Sequence, residues 1–207
     1  RVWRGLLVRD RKHAKYCVKM DISKFYPSIP HGKLKARLRE KIKDEKFLQI
    51  IFKVIDSHEQ GLPIGNYTSP WLAELYLQPL DNLIKQKHRI QHYVRYADDL
   101  VLIDSNKRKL RKALHDIFEF VGELGLSIKH DYQLFRIQQY CKDRSGRRGR
   151  KIDFVGRCFG VGFTTIRKRR ALALMRQSRF IQKPQRENRP IAYRIASGFI
   201  SRCACFI

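Results

Sequence analysis

The sequence predicts an α+β domain in which an antiparallel sheet carries its helices on one face. Two apolar patterns predict it: short runs of strand length, and longer stretches whose apolar residues recur every three or four positions. Along the chain they give a strand, several helices, a hairpin, another helix and further strands. A chain of 207 residues without internal repeats is expected to form one principal domain with its own core.

The strand-like elements of the first half carry acidic residues. Residues 16–22 form a short apolar run with Asp21 near its end, which predicts a buried strand. Asp98 and Asp99 lie between two further strand-like runs, which predicts a hairpin with carboxylates at its turn. If these strands are neighbours in the sheet, the three carboxylates meet at one end of it.

The remaining elements follow from the same patterns. The helix expected over 67–87 contains Pro79, which should remove one backbone hydrogen bond and bend the helix. Lys142 to Lys151 has two glycines and no apolar residue, and is expected to be a mobile basic loop. The expected order is helices over 31–43 and 46–57, a loop over 59–68, the helix over 67–87, strands over 91–96 and 100–104, a helix over 107–124, strands over 132–137, 151–155 and 162–166, and helices over 168–182 and 189–206.

The charge of the chain points to a polyanionic partner. Lys and Arg number 45 against 19 Asp and Glu, a formal net charge of +26. The excess is spread along the whole chain and interleaved with aromatic residues, which favours nucleic acid over an anionic membrane. No apolar run approaches the ~20 residues of a membrane-spanning helix, so no membrane partner is expected.

The cysteines indicate the cellular compartment of the protein, and the two ends of the chain indicate whether it is a fragment. The five cysteines form no Cys-x-x-Cys pair and the seven histidines are scattered, so zinc-ligand spacing is absent and reduced thiols in the cytoplasm are expected. The chain begins at Arg1 without a Met or a signal-peptide pattern, and it stops at Ile207 within an apolar stretch. We expect it to be a fragment of a longer protein.

Clustered carboxylates suit metal-dependent phosphoryl transfer. That chemistry uses two divalent ions ~3.5 to 4 Å apart, which need hard oxygen ligands. Asp21, Asp98 and Asp99 offer such ligands if the strands bring them together. The alternative is that Asp98 and Asp99 only form the turn and Asp21 caps a helix, both common uses of Asp.

Five motifs in order resemble those of reverse transcriptases. Residues 96–99 (YADD) resemble the Tyr-x-Asp-Asp box, and residues 19–29 (KMDISKFYPSI) resemble the first carboxylate motif in its bacterial form. Residues 61–70 (GLPIGNYTSP) resemble the loop and helix start beneath the template base and the nucleotide. Residues 124–128 (LGLSI) and 152–156 (IDFVG) resemble the fourth motif and the primer grip.

The resemblance implies a polymerase palm that synthesises cDNA. Residues 1–165 would form the palm with a remnant of the fingers, and residues 166–207 the start of a helical thumb. The implied partners are an RNA template, a DNA or RNA primer and dNTPs. The implied cofactor is a pair of Mg²⁺ ions, with Mn²⁺ as a substitute.

Individual roles also follow from the resemblance. Tyr26 matches the aromatic steric gate that excludes a ribose 2′-hydroxyl, against the alternative of an ordinary core residue, while Phe25 is expected in the core. The fourth motif usually has a Lys where this chain has Tyr132, with Lys129 close by. The implied set is Asp21, Asp98 and Asp99 for catalysis, these three and the Ile22 carbonyl for metal, Phe25, Tyr26, Ile64 and Gly65 for the nucleotide, and Tyr96, Lys168, Arg169 and Arg170 for nucleic acid.

One position favours a subgroup of the family. Most reverse transcriptases have Gln where Ile64 stands, whereas enzymes of diversity-generating retroelements have an aliphatic residue there; that group, however, usually has Gln at the position of Pro70. The chain therefore resembles the diversity-generating enzymes first, which work with a template-repeat RNA and a small basic accessory protein. Bacterial or phage-encoded group II intron and phage-defence enzymes are the alternatives, together with a maturase-like RNA-binding protein.

Overall fold

The computed structural model describes residues 12–140, 147–160, 163–186 and 197. The strands are β1 (Tyr16–Asp21), β2 (His92–Tyr96), β3 (Asp99–Asp104), β4 (Gln133–Arg136), β5 (Gln139–Tyr140), β6 (Arg147–Arg148), β7 (Ile152–Phe154), β8 (Arg157–Gly160) and β9 (Phe163–Ile166). The helices are α1 (Phe25–Ser28), α2 (His31–Lys41), α3 (Glu45–Asp56), α4 (Thr68–Asn82), a π-helical turn (Leu83–Lys87), α5 (Lys107–Glu123) and α6 (Lys168–Arg186).

The central sheet has four antiparallel strands in the order β2-β3-β1-β4. Because successive residues of a strand point to opposite faces, the sheet divides its own apolar residues between two cores. Met20 and Leu102 belong to the core that the helices cover. Cys17 and Val101 belong to a second core on the other face. The predicted antiparallel sheet with its helices on one face is therefore confirmed.

The helices bury apolar stripes against one face of the central sheet, which we call the helix-covered face. In α5, the residues Leu110, Ala113, Leu114, Ile117 and Val121 are buried at three- and four-residue steps. Burying a side chain such as Leu contributes roughly 1.5–3 kcal/mol, so this stripe alone fixes α5 to the sheet. The Tyr76 hydroxyl on α4 donates to the Leu124 carbonyl just beyond α5, and burial raises the pKa of Tyr76 to about 12.

A second small sheet covers the other face. Strands β7, β8 and β9 form it, and Ile152 and Phe154 pack against Cys17, Val101 and Ile103 of the central sheet. The sequence predicted two of these three strands. It missed β8, which pairs with both neighbours and turns them into a sheet.

Three further segments can be compared with their expected structures: the basic loop, the helix that contains Pro79, and the last expected helix. Arg147 and Arg148 lie in β6, paired with β5, although the sequence predicted a mobile loop there, and residues 141–146 are outside the described part. The chain continues helically past Pro79 into the π-helical turn. The helix expected over 189–206 also lies outside the described residues. Within those residues, no helix combines the length and apolarity that crossing a membrane requires.

Candidate active site

The pairing of β1 with β3 places two carboxylates side by side. Asp21, the last residue of β1, is the register partner of Asp99, the first residue of β3. Paired residues in an antiparallel ladder have side chains on the same face. That face is the one opposite the helices, since it also carries Cys17 and Val101. The two carboxylates therefore lie together at one end of the sheet, on its helix-free side.

The turn between β2 and β3 adds the third carboxylate. Only Ala97 and Asp98 separate the strands. The sequence predicted Asp99 in the turn as well, and this is wrong, because Asp99 pairs with Asp21 and Tyr96 as the first residue of β3. Ala97 has a φ of 51°, the left-handed conformation that tight hairpin turns require. The amide of Ile22 donates to the Asp98 carbonyl at 3.1 Å, so the turn is fastened to the end of β1.

Two lysines balance the paired carboxylates. Lys129 Nζ lies 2.7 Å from Asp21 Oδ1, and Lys19 Nζ lies 3.8 Å from Asp99 Oδ1. Burial raises the pKa of Asp99 above its usual value; Lys19 opposes this rise, and the charges of Asp21 and Asp98 add to it. The contact with Asp21 raises the pKa of Lys129. The site thus concentrates negative charge that needs nearby cations.

The donor set fits a divalent metal. Within the described residues, Asp21 Oδ1 is enclosed and has no hydrogen-bond partner beyond its ion pair with Lys129 at 2.7 Å. Hard carboxylate oxygens of this kind are the ligands that Mg²⁺ prefers. A cavity of about 180 Å³ adjoins the site, lined by Asp21 and Asp99 together with Lys19, Asp131, Gln133, Lys151 and Asp153. There is space beside the carboxylates for an ion and phosphate oxygens.

A second group of possible metal ligands lies on α5. His115, Asp116 and Glu119 have ligand atoms within 4.8 Å of one another, which the oxygens of Asp21, Asp98 and Asp99 do not. However, Lys87 Nζ lies 2.8 Å from Asp116, and the hydrogen bond between them lowers the pKa of Asp116. Asp116 is thus paired with a lysine, as Asp21 is with Lys129. The resemblance of residues 19–29 and 96–99 to the carboxylate motifs of the family, and not ion pairing, favours the group at the sheet end.

Tyr26 lies near enough to Asp98 for its phenol to be affected by that charge, and its role as a gate stays a prediction. Burial raises the pKa of Tyr26, and the negative charge of Asp98 raises it further, which places the phenol within the field of the site. Its neighbour Phe25 is 3% exposed and belongs to the helix-covered core. The expectation of Phe25 as a core residue is confirmed, and its assignment to the nucleotide site stays a prediction.

The loop before α4 is fastened to the segment that carries Tyr26. The amide of Leu62 donates to the Tyr26 carbonyl at 2.8 Å, and the Gly61 carbonyl lies 2.6 Å from His31 Nε2. Gly61 has a φ of 68°, and a Cβ there would collide with the Pro27 backbone. Sequence reasoning gave Gly61 no role, although a glycine that opens a motif is a hint of close backbone approach.

The tip of the same loop projects into solvent. Ile64 is 81% exposed, and Tyr67 and Trp71 are also exposed. Ile64 therefore does not pack beneath Tyr67 or Trp71. Gly65 has a φ of 96° and open space around it, so its backbone is accessible to a ligand. The loop tip and the start of α4 therefore expose apolar side chains to solvent.

Comparison with known proteins agrees with this geometry. Residues 4–140 match the family model described as reverse transcriptase (RNA-dependent DNA polymerase). The chain belongs to the reverse transcriptase family. It is 31% identical over 147 residues to the retron Ec73 reverse transcriptase of Escherichia coli, a match covering 64% of this chain and 46% of that protein. It is also 28% identical over 200 residues to the putative COX1/OXI3 intron 2 protein of Saccharomyces cerevisiae, covering 63% of this chain and 23% of the relative.

Solved structures show the same fold. Apo telomerase from Candida tropicalis matches with a TM-score of 0.61 at 16% identity, over 80% of this chain and 38% of that one. The palm-type reverse transcriptase fold is thereby confirmed. The chain spans less than half the length of these relatives. Retron and intron proteins supply the sequence similarities, so the diversity-generating assignment stays a prediction.

A buried ionic network supports the Tyr-x-Asp-Asp hairpin of this reverse transcriptase. Arg95 on β2 is 5% exposed and donates to both oxygens of Asp81 on α4, at 2.9 and 2.6 Å. The Tyr93 hydroxyl donates to Asp81 at 2.6 Å, and Arg95 Nη1 lies 3.4 Å from the Ala97 carbonyl in the turn. The network thus joins α4 to the residue that precedes Asp98. Sequence reasoning missed it.

We expect replacement of Arg95 to weaken both the fold and the placement of Asp98. Arg95→Ala leaves the Asp81 carboxylate half-buried without its partner, which should cost about 3–5 kcal/mol of unfolding free energy. Arg95→Lys keeps the charge but loses the two-pronged geometry, so we expect a smaller loss of stability and a lower kcat with little change in KM for dNTP. Urea denaturation and single-nucleotide incorporation measure the two effects.

The matched control is Lys53→Ala, an exposed basic residue on α3. It should leave stability and kcat nearly unchanged. If Arg95→Lys matches the control in both measurements, Arg95 has no positioning role.

The expected nucleic-acid contacts lie at two places around the site. Tyr96 is exposed at the end of β2, and Lys168, Arg169 and Arg170 are exposed in the first turn of α6. Arg167, just before them, is tied to Asp153 on β7 at 2.6 Å, which fixes the start of α6 to the second sheet. The three basic side chains are therefore presented from a supported helix end.

Proposed function

We propose that this chain provides the catalytic palm of an RNA-directed DNA polymerase. The observation that carries the proposal is the register pairing of Asp21 with Asp99, with Asp98 fastened to the same strand end. Family membership and the adjoining cavity support it. Residues 1–165 are proposed as the palm and residues 166–207 as the start of the thumb.

In this proposal Asp21 and Asp98 hold two Mg²⁺ ions, with Asp99 as a weaker ligand and the Ile22 carbonyl as a further oxygen. When bound, the ions would activate the primer hydroxyl and neutralise the triphosphate. Lys129 and Lys19 stand beside the carboxylates and hold positive charge where phosphate oxygens would arrive. Mn²⁺ has similar ligand preferences and is proposed as a substitute.

The proposed substrates are dNTPs, and the proposed partners are an RNA template and a DNA or RNA primer. The ring of Tyr26 would meet the sugar of the nucleotide, and the backbone of Gly65 would approach the nucleotide or the template. Tyr96, Lys168, Arg169 and Arg170 would contact the nucleic acid. The net charge of +26 supports a polyanionic partner such as nucleic acid.

Primer extension by the full-length protein tests the proposal. We expect incorporation of dNTPs on a primed RNA template with Mg²⁺ or Mn²⁺, and none with a chelator. Ability to bind RNA without any dNTP incorporation under either metal would refute the proposed activity. It would favour the second candidate, a maturase-like RNA-binding protein, which the similarity to an intron-encoded protein supports.

Within the polymerase proposal, the exposed Ile64 favours an enzyme of a diversity-generating retroelement, with a template-repeat RNA and a small basic accessory protein as partners. Gln at this position could hydrogen-bond to the nucleotide or the template backbone, whereas Ile offers only apolar contact. One hydrogen bond contributes ~0.5–1.5 kcal/mol net, which corresponds to roughly two- to tenfold in discrimination.

We therefore expect error-prone copying by the wild type and a several-fold lower error rate for Ile64→Gln. The measurement is sequencing of products copied from one defined RNA, with errors scored opposite each template base. Trp71→Gln, a change at another exposed apolar position nearby, is the control. Equal error rates for wild type and Ile64→Gln would move the chain toward the intron or defence enzymes.

A further inference from the structure

The charges on the outer surface of α5 are sharply divided along its length. Its first six residues contain five basic side chains and no acidic one, and its second half carries Asp116, Glu119 and Glu123. Arg108, Arg111 and Lys112 are exposed there, and Arg89 is exposed on the neighbouring segment. We call Arg89, Arg108, Arg111 and Lys112 the basic face.

The charges of α5 are arranged unfavourably with respect to the helix dipole. The N-terminus of a helix carries partial positive charge, so cations there are unfavourable and anions are favourable. Helix α3 follows the favourable rule: Glu45 lies in its first turn and Lys53 in its last. Helix α5 has no acid in its first turn and no base in its last turn. Because the arrangement costs the isolated fold some stability, an anionic ligand at the basic face would offset that cost.

The side chains, and not the helix terminus, form the candidate surface. Asn106 already accepts from the amides of Arg108 and Lys109, which caps the helix. Lys109 is also engaged, since its ammonium lies 2.9 Å from both Asp104 and the Arg89 carbonyl. Among residues 12–140, 147–160 and 163–186, no carboxylate forms an ion pair with Arg89, Arg108 or Arg111. Three guanidinium groups therefore remain available for a ligand.

A polar cavity lies beside the basic face. It has a volume of about 230 Å³ and is lined by His13, Arg89, Gln91, His92, Ile103, Asp104, Ser105 and Lys109. The carboxylate of Asp104 is paired with Lys109, and Arg89, Gln91 and Ser105 offer hydrogen-bond donors, which suit phosphate oxygens. The large apolar side chains exposed on the described surface lie elsewhere, for example at Phe47, Ile64 and Tyr132. The basic face thus lacks the apolar anchors that protein interfaces and membrane-binding helices use.

The basic face is remote from the carboxylates. Strand β3 begins at Asp99 in the active site and ends at Asp104, immediately before α5, which places the start of α5 about 17 Å away along the strand. Helix α5 also packs on the helix-covered face of the sheet, whereas Asp21 and Asp99 lie on the opposite face. The outer surface of α5 and the carboxylates therefore lie on opposite sides of the central sheet.

We propose that the basic face binds the phosphate backbone of RNA outside the catalytic cleft. The ligand is a structured part of the RNA that is not being copied, held by guanidinium groups that match phosphate geometry. The inference rests on the proposed RNA partner but not on polymerase activity. The basic face would give the enzyme a second binding site for its template RNA, independent of sequence and in addition to the catalytic cleft.

The test is a triple charge-neutral variant, Arg89→Gln with Arg108→Gln and Arg111→Gln, in the full-length protein. We expect its affinity for a long RNA hairpin without a primer to fall at least about tenfold, and the slope of log affinity against log salt to fall by about two to three, as for three lost phosphate contacts. Incorporation of one dNTP on a short primer–template that fills only the cleft should stay unchanged.

The matched control is the triple variant Lys41→Gln, Lys43→Gln and Lys46→Gln, which removes the same charge from other exposed positions. It should change hairpin affinity by less than about twofold. An equal loss in both variants would overturn the inference, because the effect would then be one of net charge. A lower melting temperature of the arginine variant would also overturn it, since neutral residues at the start of α5 should leave the fold as stable or more stable.

Two further outcomes are decisive. Unchanged RNA affinity with a loss of binding to an acidic polypeptide such as polyglutamate would assign the basic face to a protein partner and overturn the RNA inference. A protein that binds the hairpin through the basic face but never extends a primer would refute the proposed polymerase and uphold this inference.

Discussion

Asp98→Asn is expected to lower metal-dependent primer extension by about 10³-fold or more, because one metal ligand loses its charge and metal ions contribute several kcal/mol to phosphoryl transfer. Asn has nearly the same shape and is compatible with a hairpin turn, so the fold should persist. RNA affinity should be nearly unchanged, since no basic contact is altered. Extension rates and RNA binding are measured on the same preparation.

The matched control is Asp56→Asn, the same chemical change at an exposed ion pair with Lys35 on the surface. It should keep near-normal extension, because exposed ion pairs contribute little. A second readout is thermal: Mg²⁺ should raise the melting temperature of the wild type and of the control more than that of Asp98→Asn. Near-normal extension by Asp98→Asn would remove this residue from the catalytic role.

Tyr26→Ala should relax the preference for dNTPs over rNTPs. Forcing a hydroxyl against a packed ring costs about 1–3 kcal/mol, which corresponds to roughly 5- to 150-fold in discrimination. A methyl group leaves space for the 2′-hydroxyl and removes that penalty. Single-nucleotide incorporation with each nucleotide type gives the ratio of kcat/KM values.

Tyr26→Phe separates the ring from its hydroxyl. If exclusion is steric, this variant should discriminate as well as the wild type. Because burial and Asp98 raise the pKa of Tyr26, its phenol stays protonated at neutral and mildly basic pH, and discrimination should not vary with pH there. A Phe variant as permissive as the Ala variant would assign the selection to the hydroxyl; equal discrimination by wild type and Ala variant would reassign Tyr26 to packing.

Local sequence patterns predicted many of the strands and helices of this fold. They did not predict the pairings between residues that are far apart in the sequence. Strands β1, β2 and β3 can be recognised from their short apolar runs, and the sequence itself shows the acidic residues next to the ends of those runs. The register that pairs Asp21 with Asp99 was only an assumption, since it depends on how distant strands meet. For the same reason β8 was missed: its short stretch of mixed polarity becomes a strand only between two partners.

The candidate site shows the same limit at the level of side chains. Motif resemblance gave the carboxylates and Tyr26, because those residues stand within continuous segments. Arg95 and Asp81 are far apart in the sequence, and nothing local reveals that a buried arginine on a strand meets a carboxylate on a helix. Gly61 likewise gains its meaning only from the Pro27 backbone against which it packs.

The packing of Gly61 on Pro27 and the hydrogen bond from Leu62 to Tyr26 connect the two segments to which we assign nucleotide selectivity. A substitution that shifts the loop should therefore also shift the ring that is proposed to face the sugar. We expect accuracy toward the base and choice of the sugar to change together. A laboratory selection for more faithful copying through the Ile64 loop would move ribonucleotide tolerance as a by-product, and a screen for one property would find variants of the other.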